Sequence, residues 1–143
     1  MNTTIAREDT PPADALVAVW ERSVRATHGF VTEDEIALFR PQVREMLLAI
    51  RPFVLRVDGQ PSGFLALNGA HVEALFVDPP LFRRGLGGRL LRAAVEAGAK
   101  TVDVNEENPG ALAFYLACGF RQIGRDPLDP SGLPHPILHL ALP

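Results

Sequence analysis

The sequence predicts an α/β (α+β) protein in which a single mixed, mostly antiparallel sheet has one parallel pair of strands at its centre. Short apolar runs in the middle of the chain are separated by tight-turn dipeptides, which is typical of antiparallel strands. A buried apolar run at 72–77 is joined to another at 101–105 through a helical pattern, and strands connected in this way run parallel. Including the other segments with apolar residues at helical spacing, we expect six to seven strands flanked by about four helices.

The N-terminal third predicts one edge strand and two helices. Residues 3–8 can form a short edge strand, and the two prolines that follow introduce a helix that ends near His28. Thr32 and Glu35 have the spacing of a capping box, which predicts the start of a second helix that runs to about residue 50. Pro41 lies inside this second pattern, so we expect a kink or two shorter helices rather than one straight helix.

The middle of the chain predicts three strands. Segments 53–57 and 63–67 flank a turn at 58–62 and should form a hairpin. The dipeptide Asn68-Gly69 is a second turn signal, and it leads into the central strand. Two prolines end that strand after Asp78, because proline cannot donate a hydrogen bond to a neighbouring strand.

The second half of the chain predicts a regular succession of helices and strands. Its elements are a helix from Leu86 that ends near Gly98, the strand 101–105, a helix from Asn108 to Gly119, and closing strands at 120–124 and 137–142.

Length and composition favour an ordinary globular protein. The 143 residues are long enough for a sizeable core, and we interpret residues 1–143 as a single domain. The net charge of −3 gives no general attraction to nucleic acid, so we expect no DNA partner. No apolar run has membrane-spanning length and no N-terminal signal pattern is present, so we expect no membrane partner and a cytoplasmic location. A single cysteine agrees with a reducing compartment.

A glycine-rich loop with two arginines, FRRGLGG at 82–88, connects the central strand to the following helix. Backbone amides at a helix N-terminus and guanidinium groups both suit phosphate oxygens, which makes the loop a candidate site for a phosphorylated cofactor. A nucleotide P-loop would need Lys and then Ser or Thr where the chain has Arg89 and Leu90. A dinucleotide fingerprint would need a glycine at Leu90, although Asp103 lies near its expected acidic position. A plain strand-to-helix turn with solvated charges is a further interpretation.

Two separated segments resemble a known family. The segment LFVDPPLFRRGLGGRLL at 75–91 resembles the acyl-CoA-binding segment of the GNAT superfamily of N-acetyltransferases, and NPGALAFYLACGF at 108–120 is similar to the family's second signature. With WERSVRATHGF at 20–30 and the C-terminal segment 124–142, the likeness extends over nearly the full chain. It is strongest to a small bacterial subfamily.

The resemblance implies the GNAT fold, in which the two central parallel strands splay apart and the pantetheine arm of acetyl-CoA lies between them. Acetyl-CoA would be the co-substrate, Asn108 would hydrogen-bond its arm, and an amide near Leu75 or Phe76 would polarise the thioester carbonyl. The family usually has Arg or Gln where this chain has Phe82, so the cation role passes to Arg83 or Arg84. The implied acetyl-CoA contacts are Leu75, Phe76, Val77, Phe82, Arg83, Arg84, Gly85, Leu86, Gly87, Gly88, Asn108, Ala111 and Tyr115.

Acetyl transfer to an amine requires a base and an acid, because an alkylammonium must lose a proton and the leaving thiolate should gain one. Tyr115 is the acid that the resemblance implies. Glu73 is the candidate base, since it interrupts an otherwise buried apolar strand, with a strand-end ion pair as the alternative. His71 is a weaker candidate base. His28 and Phe30 match the subfamily's acceptor side, with a plain surface loop as the alternative for His28.

The function expected is transfer of the acetyl group from acetyl-CoA to a primary amine of a small molecule or a peptide, by direct attack in a ternary complex. No metal is expected, because His135 and His139 would lie about 13 Å apart along an extended strand. Two alternatives are a non-catalytic acyl-CoA-sensing module and a toxin that acetylates aminoacyl-tRNA, which the acidic net charge disfavours. An exposed sheet edge could support a homodimer.

Overall fold

The computed structural model covers residues 1–143 and contains seven strands, four α-helices and one short 3₁₀ turn at Pro79–Leu81. The strands are Thr3–Arg7 (β1), Phe53–Val57 (β2), Gln60–Asn68 (β3), His71–Val77 (β4), Thr101–Asn105 (β5), Arg121–Asp126 (β6) and Ile137–Ala141 (β7). The helices are Ala13–Thr27 (α1), Glu33–Ala49 (α2), Leu86–Glu96 (α3) and Pro109–Ala117 (α4).

All seven strands form one sheet in the order β1-β2-β3-β4-β5-β7-β6. Every neighbouring pair is antiparallel except β4 and β5, which run parallel. These two strands pair only at His71 with Thr101 and at Val72 with Val102, so they separate over the rest of their length. The expected fold, a mostly antiparallel sheet that opens at a central parallel pair, is confirmed.

A β-bulge lies at the point where β4 and β5 separate. Ala66 pairs with Ala74 and Leu67 pairs with Val72, which leaves Glu73 as an extra residue on β4. A bulge bends its strand and increases the local twist. We infer that this bend turns the second half of β4 away from β5 and opens the sheet.

Helices cover the sheet unevenly, and this leaves one region of it bare. The larger core lies between the sheet and α3 and α4, where Leu65, Leu90 and Leu140 are fully buried. The smaller core lies under α1 and α2 on the other face and includes Trp20 and Phe64, with no member from β5, β6 or β7. On that face the last three strands are therefore not covered by a helix.

The hairpin between β2 and β3 is tighter than predicted. The turn contains only Asp58 and Gly59, both with positive φ, which is the two-residue type I′ geometry of hairpins. The predicted turn at 58–62 was too long, because β3 already begins at Gln60. Pro61 is tolerated there because a bulge beside it interrupts the ladder between β2 and β3.

Helix α2 is a single helix that passes through Pro41, so of the two outcomes expected there, a kink or two shorter helices, the second is excluded. Proline leaves the carbonyl four residues earlier, that of Ala37, without its helical partner. Both residues are exposed, so water can bind that carbonyl. The predicted capping box at Thr32 and Glu35 is present. None of the four helices combines the length and apolar character that crossing a bilayer requires.

Candidate active site

A cleft of about 580 Å³ occupies the opening between β4 and β5 and continues to the glycine-rich loop. Most of the residues singled out from the sequence line it: His28, Glu73, Leu75, Phe76, Val77, Phe82, Arg83, Gly85, Leu86, Gly87, Gly88, Asn108, Ala111 and Tyr115. Three others, Phe30, His71 and Arg84, do not. Segments far apart in the chain thus meet at a single concave surface.

The glycine-rich loop presents a row of free backbone amides to one end of the cleft. No protein group accepts a hydrogen bond from any amide of residues 83–88; the first helical bond of this region runs from the Arg89 amide to the Gly85 carbonyl. Arg83 and Gly85 both have positive φ, which curls the backbone so that successive amides converge. Together with the dipole of α3, this arrangement is suited to bind an anion such as a diphosphate.

The two arginines of the loop lie in different environments. Arg83 lines the cleft, whereas a guanidinium nitrogen of Arg84 lies 3.9 Å from the sulfur of Met1, outside it. Phe82, at the position where the family usually has a cation, lines the cleft but carries no charge. Of the two candidate cations, Arg83 is therefore the one positioned to face an anion held by the loop.

The opened edge of β4 presents backbone amides to the cleft. The Asp78 amide donates to the Ser62 carbonyl of β3 at 2.8 Å. The direction in which backbone amides point alternates along a strand. The Phe76 amide therefore also points to β3, and the amides of Leu75 and Val77 point into the gap between β4 and β5. The Leu75 amide is therefore available as a donor to a carbonyl oxygen in the cleft.

Tyr115 is 6% exposed, and its ring packs edge-on against Phe114 and Phe120 at centroid distances of 5.0 and 5.5 Å. Its hydroxyl makes no hydrogen bond to a protein group. Every side-chain oxygen that is fully buried does have such a partner, so the Tyr115 hydroxyl is not fully buried and remains accessible from the cleft. Burial raises the pKa of this phenol well above its ordinary value, and Cys118 contributes less. The phenol is therefore protonated at neutral pH and can act as an acid.

His28 and Asn108 join the loop after α1 to the start of α4. The Thr27 hydroxyl donates to the Ser23 carbonyl at 2.8 Å and can thus accept from His28 Nδ1 at 2.7 Å, which assigns the proton to that nitrogen. The side-chain nitrogen of Asn108 lies 3.3 Å from His28 Nε2, and its oxygen accepts from the Ala111 amide at 3.1 Å. Burial lowers the pKa of His28 to about 4, so the ring is neutral and accepts from Asn108.

The Phe30 ring packs against His28 on one side and against His135 on the other, with a distance of 5.3 Å between ring centroids in each pair. His135 Nε2 is 2.6 Å from Glu35 and its Nδ1 is 3.1 Å from Glu107. Burial opposes protonation of His135, but the hydrogen bonds to the two carboxylates outweigh it and raise the pKa. This ion pair ties the start of α2 to the segments before α4 and β7, and it fixes His135 in its packing against Phe30.

The two candidate bases differ in position. Glu73 is exposed rather than buried, so the expectation of a buried carboxylate was wrong; the bulge presents it to solvent at the mouth of the cleft. Its only side-chain partner is the Asn68 amide nitrogen, at 3.4 Å. His71 lies outside the cleft, with Nδ1 2.7 Å from the Thr101 hydroxyl and Nε2 3.4 Å from Asp103.

Asp103 also lines the cleft, although in the sequence it stood out only as a candidate for the acidic position of a dinucleotide fingerprint. A signal was present, because the strand TVDVN alternates polar and apolar residues, which predicts that Asp103 points away from the core. What could not be read locally is that this side of β5 lacks a covering helix and opens into the cleft.

The chemistry of acetyl-CoA matches these features. Free amides at one end suit a diphosphate, the apolar walls of Leu75, Val77 and Phe114 suit an alkyl arm, and the Leu75 amide and Tyr115 hydroxyl suit a thioester. A sheet that opens at its parallel pair beside such a loop defines the class of acetyl-CoA-dependent N-acetyltransferases.

Comparison with known proteins agrees with this class. A model of the Acetyltransferase (GNAT) domain matches residues 49–122, and the chain belongs to the GNAT acetyltransferase family. It is 37% identical over 100% of both chains to the peptidyl-lysine N-acetyltransferase YjaB of Salmonella typhimurium. It is 35% identical to the Escherichia coli YjaB enzyme, over 99% of this chain and 97% of that one.

Solved structures give the same result for the fold. The solution structure of apo YjaB from Escherichia coli superposes with a TM-score of 0.90 at 37% identity, over 99% of this chain and 97% of that one. The PaiA N-acetyltransferase from Thermoplasma acidophilum, solved with coenzyme A, superposes with a TM-score of 0.74 at 18% identity, over 97% and 98%. The protein is therefore an acetyl-CoA-dependent N-acetyltransferase of bacterial type.

Proposed function

We propose that this acetyltransferase transfers the acetyl group to the primary amine of a lysine side chain in a peptide or protein, by direct attack in a ternary complex. The observation that carries the proposal is the row of unpaired amides at 83–88, which shares one cleft with the Leu75 amide and the free Tyr115 hydroxyl. The similarity to two peptidyl-lysine acetyltransferases over the full chain favours a peptide acceptor over a small amine. Residues 1–143 would act as one domain.

Binding of the co-substrate would depend chiefly on the loop. The amides of residues 83–88 and the guanidinium of Arg83 would hold the diphosphate. Acetyl-CoA supplies an activated acetyl group and a thiol leaving group. The Leu75 amide would donate to the carbonyl oxygen, and one such donor typically lowers a barrier by about 3 kcal/mol.

Proton transfer would be divided between two side chains at opposite sides of the cleft. Glu73, at the mouth, would remove a proton from the attacking nitrogen. Tyr115, on α4, would give its proton to the leaving sulfur, and its buried ring keeps the hydroxyl in one orientation. Acid–base assistance of this kind contributes about 10²–10⁴ in rate. His28 would form the wall along which the acceptor lies, and Phe30 would support it by packing against its ring.

The test is a thiol-release assay with acetyl-CoA and three acceptors: a lysine peptide, a small alkylamine and aminoacyl-tRNA. We expect the lysine peptide to be the best of the three, with mass spectrometry placing the added acetyl group on the lysine side chain. Turnover on aminoacyl-tRNA alone would support the toxin alternative instead. Calorimetry with acetyl-CoA shows separately whether the loop binds the co-substrate.

A further inference from the structure

A line of alternating acidic and imidazole side chains crosses the bare face of the sheet from β4 to β6. Asp103 Oδ2 lies 3.4 Å from His71 Nε2, and its Oδ1 lies 2.6 Å from His139 Nδ1. His139 Nε2 lies 2.6 Å from Asp126. We call these four residues the carboxylate–imidazole array. Only Asp103 of the four lines the cleft.

The register of the parallel pair places Asp103 at the point where the sheet opens. Val72 and Val102 form the last pairing of β4 with β5, and both side chains are buried in the larger core. The next residue on β5, Asp103, therefore points to the opposite face, at the mouth of the cleft. Glu73, the bulge residue of β4, lines the same cleft. Two carboxylates thus lie on either side of the opening.

The two carboxylates differ in how firmly they are held. Glu73 is exposed and has a single partner at 3.4 Å. Asp103 is hydrogen-bonded on one oxygen to His139, which is itself hydrogen-bonded to Asp126, and its other oxygen lies 3.4 Å from His71 Nε2. The hydrogen bonds that His139 donates to Asp103 and to Asp126, the former with the larger effect, raise the pKa of His139. The two carboxylates, of Asp103 and Asp126, outnumber the single positive charge of a protonated His139, so the array stays negative. Each oxygen of Asp103 also keeps a lone pair that can accept from another donor.

We propose that Asp103 is a further catalytic residue, which binds the ammonium group of the acceptor and takes its first proton, and that His139 is a positioning residue for it. The inference rests on the proposed amine acetylation. A carboxylate held at the opening of the sheet, on the face that no helix covers there, would match a cationic acceptor that approaches from that face. His139 and Asp126 hold that carboxylate in place, so that little side-chain freedom is lost when the ammonium group binds.

The protons balance with two carboxylates and one phenol. An N–H bond of the ammonium breaks as an O–H bond forms on Asp103, which frees the nitrogen lone pair for attack. As the C–N bond forms, the C–S bond breaks with its electron pair on sulfur, and the sulfur takes the Tyr115 proton. The nitrogen then loses its second proton to Glu73. The protonated side chains of Asp103 and Glu73 each release a proton to water, and Tyr115 takes one proton back. One proton is therefore released in each turnover.

The experiment compares two acceptors that differ in charge. A lysine peptide is an ammonium ion at neutral pH, whereas trifluoroethylamine is a neutral amine and needs no initial deprotonation. We expect Asp103→Asn to lower kcat/KM for the lysine peptide about a hundredfold and to affect trifluoroethylamine severalfold less, with acetyl-CoA affinity unchanged. His139→Gln should show the same selectivity with a smaller loss. Asp34→Asn, an exposed aspartate of α2 outside the array, is the matched control.

Other results would overturn the inference. Equal losses on the two acceptors would show that Asp103 only supports the fold, and no loss would show that it has no role. Asp103→Glu keeps a carboxylate and should retain the selectivity for lysine even where the Asn variant is unstable; loss of that selectivity would also refute the proposal. If the wild-type protein binds acetyl-CoA but acetylates neither acceptor, the proposed function itself is wrong, and this inference with it.

Discussion

Replacing Tyr115 by Phe removes one hydroxyl from the cleft and leaves the aromatic ring in place. The ring packs between Phe114 and Phe120, and these contacts do not involve the oxygen. The hydroxyl makes no hydrogen bond to another protein group, so its removal leaves no donor or acceptor of the fold unpaired. We therefore expect the free energy of unfolding to change by less than about 0.5 kcal/mol.

The effect of this substitution on the rate should be much larger than its effect on stability. Loss of a general acid typically lowers the rate by about 10²–10⁴, which corresponds to about 2.7–5.4 kcal/mol of barrier. Because we propose that the hydroxyl meets the thioester and that the glycine-rich loop binds the diphosphate, the affinity for acetyl-CoA should stay the same. The variant should thus bind its co-substrate normally and turn over slowly.

Three measurements on the same preparation check this expectation. Calorimetry gives the acetyl-CoA affinity, thermal unfolding gives the stability, and thiol release with a saturating lysine peptide gives kcat. A kcat within twofold of wild type would refute the role of Tyr115 as an acid. A low kcat accompanied by a large drop in thermal stability would instead indicate that the hydroxyl supports the fold.

Three further predictions follow from the loop and the cleft wall. Arg83→Ala should weaken acetyl-CoA binding about tenfold, and high salt should reduce this difference. Arg84→Ala should change the affinity little. Equal losses of affinity for the two variants in calorimetry would contradict the prediction. Gly85→Ala places a side chain on a residue with φ +75° and should lower the free energy of unfolding by about 1–2 kcal/mol. Gly88→Ala, whose added methyl group meets no atom within 4 Å, should cost much less. Comparable melting temperatures of the two variants would refute this prediction. The pKa of His135 is raised on folding, so its stabilisation is complete below its ordinary value of 6.5 and is lost as pH rises through the folded value. The stability difference between wild type and His135→Gln in urea should accordingly shrink from pH 6.5 upward, and a constant difference would exclude the ion pair as its cause.

Local signals in the sequence were sufficient for most elements and for the loop. The turn at Asn68-Gly69, the capping box at Thr32 and the helix start at Asn108 each depend on chemistry within a few residues of the chain. The glycine spacing at 85–88 likewise marked the anion-binding end of the cleft. At Pro41, where the sequence left a kink or two shorter helices open, the chain forms one helix whose other face packs into the smaller core.

The position of the proposed catalytic side chains was decided only by tertiary structure. Glu73 was recognised as unusual, but its exposure follows from a bulge set by the register with β3, which no periodicity within β4 reveals. Asp103 and His139 are 36 residues apart in the chain and meet because β7 returns beside β5. A sequence records periodicity and turn chemistry within one element, whereas the pairing of distant strands follows from burial of the whole core. For this protein the sequence alone therefore determined the fold class and the loop that we propose binds acetyl-CoA. The folded sheet decided which charges line the cleft.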